Sequence, residues 1–154
     1  MLSSIPELRD EDTKDWDVRL SEWVDAFRQA LLEAPELHIF ISLAAKSPSI
    51  LGILDKIQSI SNILQSQGMN ECKSVHHAQG IVWTVMSFTY FESLANIPLI
   101  VEGIRKAEQK KDHSNILQHI AADNYDELWA ETVRRNIDGI AMQLQKNTNH
   151  EYYN

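Results

Sequence analysis

Cys72 and His76 stand at i and i+4, so on a helix they share a face and offer two side chains of the kind that bind zinc. A metal centre needs further ligands. His77 points about a quarter-turn away from His76, and His38 would have to be recruited through the fold. The pair therefore reads as polar surface, and neither a metal nor a cofactor is expected. Other reactive constellations are missing from the sequence: it has no Gly-rich phosphate loop, no nucleophile elbow and no paired Glu-x-x-His motifs such as a four-helix di-iron site would use. An enzyme is not expected.

A second chemistry is written between residues 81 and 91. Trp83, Phe88, Tyr90 and Phe91 alternate with Thr84, Ser87 and Thr89, and Met86 lies among them. Apolar walls carrying a few hydroxyls are what a small-molecule cavity requires, because rings supply contact area and hydroxyls fix orientation. The same pattern also suits an ordinary core or a face turned to a partner subunit. Nucleic acid is a poor candidate partner: 14 basic residues against 22 acidic ones leave a net charge of −8, which repels a phosphate backbone. The tightest basic groupings, Arg105 to Lys111 and Arg134 with Arg135, are diluted by Glu102, Glu108, Asp112 and Glu131.

These residues need elements to hold them, and the periodicity is helical throughout. Trp16, Leu20, Trp23, Phe27 and Leu31 recur at three and four, with Thr13 or Asp15 available as the cap and Pro35 as the stop. Pro35 can also open a short helix ending near Lys46. Ser47 and Pro48 signal a long helix in which Ile50, Ile53, Ile57, Ile60 and Leu64 form the stripe and Gly68 the stop. Asn70 can cap a helix from about 71 to 95, apolar on nearly every side in its second half. Pro98 begins another, to about Gln109, and a turn or two follows at 115–122. Asn124 and Glu127 form a capping-box pattern for the last helix, whose stripe is Leu128, Trp129, Thr132, Val133, Ile137, Ile140 and Leu144.

The reading is all-α, a helical bundle of about six to seven helices: a leading segment at 1–14, one domain at 15–145 and a flexible tail at 146–154. At 154 residues, with 44% hydrophobic and 23% charged side chains, one real core is possible without disulfides. The longest apolar run, Ile81 to Phe91, is too short to span a bilayer. With a lone cysteine and no basic-then-apolar leader, the expected compartment is the cytoplasm.

Taken in order, three stretches resemble the C-terminal domain of tetracycline-repressor (TetR) family regulators. Trp16-Asp17-Val18-Arg19-Leu20 through Ala34-Pro35-Glu36-Leu37 is similar to the family's first regulatory helix running into a His-Pro break, with Ala34 in place of the histidine. Ile81-Val82-Trp83 through Glu92-Ser93-Leu94-Ala95 is similar to the long dimer helix. Tyr125 through Asn136-Ile137-Asp138-Gly139-Ile140 looks like the final helix. The resemblance covers residues 15–145. It implies a homodimer through helices 71–95 and 124–145, with Leu128, Thr132, Val133, Ile137, Ile140 and Leu144 at the interface. It also implies a pocket for a small, mostly apolar effector, for which Trp23, Phe27, Leu54, Ile57, Trp83, Met86 and Tyr90 are the bulkiest candidates.

Residues 83, 86 and 90 share one side of their helix, and Ile81, Val85 and Phe88 the opposite one. The sequence leaves open which side meets the partner; if Trp83 does, Val85 and Phe88 become the pocket candidates. No basic helix-turn-helix precedes Trp16, so this chain itself is not expected to bind an operator. The rival reading is a pocketless helical homodimeric interaction module. A closed apolar cavity favours the sensor and solid packing favours the module.

Overall fold

The structure, a computed structural model, describes residues 15–34, 49–95 and 124–151, together with Leu8, Glu102 and Lys106. These form four helices, α1 (Trp16–Glu33), α2 (Ser49–Ser66), α3 (Glu71–Ala95) and α4 (Tyr125–Glu151), with no strand among the described residues. The protein is all-α. The helices expected at 35–46 and 115–122 lie outside the described residues, as does most of the one expected at 98–109. In that last stretch Glu102 and Lys106 are helical and pair at 3.2 Å.

α1 buries one stripe, Leu20, Trp23, Val24, Phe27 and Leu31. Asp15 occupies the cap position, but its side chain makes no capping bond. The first turn closes instead through the Asp15 carbonyl, which accepts from the Arg19 amide at 3.1 Å. The helix stops one residue short of the one before Pro35, where a following proline disfavours helical backbone; Ala34 has φ −133°.

α2 and α3 form an antiparallel hairpin, and its turn is explained residue by residue. Gly68 takes φ +89°. Its amide donates to the Gln65 carbonyl at 2.9 Å, and the Met69 amide reaches back to the Leu64 carbonyl at 3.1 Å. This pair of bonds is the Schellman stop, completed by burial of both Met69 and Leu64. Asn70 then caps α3, its Oδ1 accepting from the Lys73 amide at 2.9 Å. Along the hairpin, Ser61 and Ser74 share a hydrogen bond of 2.9 Å, both fully buried. Gln65 donates to Ser61 and Ser74 donates to the Glu71 carbonyl, so these hydroxyls do not enter the core unsatisfied.

One core joins the four helices: the α1 stripe, Ile53, Ile60 and Leu64 of α2, Ala78, Ile81, Val82, Val85 and Met86 of α3, and Trp129, Val133 and Ile140 of α4. At the start of α4, the Asn124 side-chain amide donates to the Glu127 carboxylate, so the expected capping pair meets side chain to side chain. α4 does not stop at 145. It runs to Glu151 through residues expected as a tail, a stretch with no Gly or Pro to break a helix already nucleated.

Candidate functional site

α4 lies antiparallel to α3. At one end His77 and Gln143 share a hydrogen bond of 2.9 Å. At the other, Phe88 sits 5.0 Å from the Trp129 ring and 6.1 Å from that of Tyr125. α1 meets α4 where the Trp129 indole donates to Asp25 at 2.7 Å.

Where the three helices converge, Arg28 is held by two carboxylates. Its Nε and Nη2 donate to the two Glu92 oxygens at 3.0 and 2.6 Å, and Nη2 also donates to Asp126 at 2.7 Å. The guanidinium lies 5.3 Å from the Trp129 ring centre and 5.9 Å from that of Phe88, within reach of cation–π attraction. Burial alone would lower the Arg28 pKa, but the bonds and charges of Glu92 and Asp126 outweigh it, so the net shift is upward. Burial, and then the Glu92 charge, also push the Tyr125 phenol up. Sequence reasoning passed over this cluster. The signal was present: Arg28 follows Leu20 and Val24 at i+8 and i+4, a charge on the apolar stripe, and Glu92 follows Val85 and Phe88 at i+7 and i+4. With Arg28 on α1, Glu92 on α3 and Asp126 on α4, the cluster ties the three helices together.

The seven residues expected to line a pocket differ in where they face among the described helices. Trp23 and Phe27 are buried against each other, ring centres 5.2 Å apart. Met86 is buried and Ile57 half-buried. Leu54, Trp83 and Tyr90 face outward, with 52%, 50% and 46% of their surface exposed. The side shared by 83, 86 and 90 splits because Met86 sits about 60° around the helix from Trp83, toward the core. Val85 lies on the inner side and is fully buried. It helps to line a void of about 10 Å³ with Leu20, Val24, Ile81, Trp129 and Val133, room for about one water molecule. An open groove of about 430 Å³ runs between α1 and α4, lined by residues such as Val18, Asp25, Arg134 and Ile137. None of the seven lines either space.

The expected interface stripe also divides. Val133 and Ile140 are buried in the chain's own core, and Ile137 and Leu144 pack half-buried against it. Leu128 is exposed, and Thr132 is half-buried with its hydroxyl bonded to the Leu128 carbonyl. The outward line of α4 is therefore Leu128, Thr132, Arg135, Gly139 and Met142, at spacings of four and three. It lies on the flank away from α1, since the side toward α1 carries Ala130, Val133 and Ile137. The outward line of α3 has the same rhythm: His76, Gly80, Trp83, Ser87 and Tyr90, all exposed. Phe91, 64% exposed, stands between that line and α4. Nothing lies within 4 Å of a side chain built at Gly80 or Gly139, so both helices present open backbone there.

Cys72 and His76 are both exposed on α3, and among the described residues no three His, Cys, Asp or Glu side chains gather as a metal site. No described helix is long and apolar enough to cross a membrane. Comparison with protein-family models, with curated proteins and with solved structures returns no match.

Proposed function

We propose that this chain is the dimerising, effector-sensing domain of a TetR-like transcriptional regulator. Two copies pair through the outward lines of α3 and α4, and DNA is bound only through a helix-turn-helix in the parent protein. One observation carries the dimer. Trp83, Tyr90 and Phe91 leave about half or more of their surface to solvent on one helix, with Leu128 and Met142 exposed on the next. Large apolar side chains standing out from two neighbouring helices, with polar residues between them, are what subunit interfaces are made from. The order of the helices and the net charge of −8 support the rest of the reading. With Trp83 in the seam, the effector belongs on the inner side of α3, beside Val85 and Phe88. It acts by binding the DNA-incompetent arrangement more tightly.

A pocketless homodimeric interaction module is the second reading, and a specific observation favours it: the junction of α1, α3 and α4 is packed down to a void of about 10 Å³. Native mass spectrometry of the purified chain, compared with its denatured mass, tests both readings. A dimer that carries a small molecule supports the sensor, a bare dimer supports the module, and a concentration-independent monomer overturns the dimer.

A further inference from the structure

We draw no further inference here: the strongest candidate, the open groove between α1 and α4 lined by Asp17, Glu22, Asp25, Asp138 and Arg134 together with Val18, Val133 and Ile137, is a set of charged residues beside an apolar strip, and nothing in the structure shows what covers it.

Discussion

Arg28 is the residue on which three helices depend together, because its side chain is only 5% exposed and its bidentate partner Glu92 11%. A buried pair of this kind adds little over an apolar replacement of both members, yet removing one member strands the other charge. Arg28→Met is expected to lower unfolding free energy by about 3 to 5 kcal/mol in urea titrations. Arg28→Met with Glu92→Met should recover much of that loss. Equal losses in the single and double variants would show that the guanidinium acts through packing alone. Asp126 is 91% exposed, so Asp126→Asn should change little. The cluster also sets an alkaline limit through Tyr125, whose phenol is shifted upward by burial and by the Glu92 charge. A raised pKa favours the neutral phenol in the folded chain. Its contribution is fully present below the ordinary tyrosine value, near pH 10, and is lost as pH rises through the folded one. Ultraviolet titration of wild type minus Tyr125→Phe should place this ionisation above that of free tyrosine, and the Phe variant should lose less stability at high pH. Coincidence with the free value would remove Tyr125 from the cluster's electrostatics.

At the level of elements, the hairpin of α2 and α3 shows what local chemistry specifies. Gly68 and Asn70 act within a few residues of themselves, so both the stop and the cap were legible before any tertiary contact was known. An added methyl at Gly68 meets nothing within 4 Å, so Gly68→Ala should cost only the left-handed backbone, about 1 to 2 kcal/mol. Asn70→Ala should cost about 1 kcal/mol for the lost cap. Thermal or urea unfolding reads both, and a neutral Gly68→Ala would mean that the turn relaxes to another conformation. The α1 stripe and the buried members of the α2 stripe were equally legible, because burial on one face follows the 3.6-residue period. Facing on α3 was not. Its second half is apolar nearly all round, so periodicity does not separate the side holding Val85 from the side holding Trp83. α4 misled for a related reason. Its apolar stripe fits a partner or the chain's own core equally well in sequence, and Val133 and Ile140 are buried in the core. The ion cluster escaped because an arginine on a helix is ordinarily read as solvated, and its partners are 64 and 98 residues away.

For the whole molecule, the question is which surface a second copy covers, and the two faces of α4 give opposite answers when charged. Ile137 packs half-buried against the core beside Trp129 and Val133, so Ile137→Glu places a carboxylate where the chain must bury it. Its expected result is a destabilised fold at every protein concentration. Met142, 58% exposed on the outward line, can carry a charge without disturbing the core. Met142→Glu should leave helical content and monomer stability near wild type while weakening association. Trp83 belongs to the same face on α3, and a large aromatic at the centre of an interface is the residue type most often found to dominate binding. Trp83→Ala should cost about 2 kcal/mol of association, roughly thirtyfold in the dimer dissociation constant. Sedimentation equilibrium across a concentration series, with circular dichroism on the same samples, separates loss of pairing from loss of fold. If Trp83→Ala and Met142→Glu sediment as wild type does, the exposed aromatic face of α3 is not the seam. If both variants unfold instead, those side chains support the monomer, and the outward lines of α3 and α4 lose their claim on a partner.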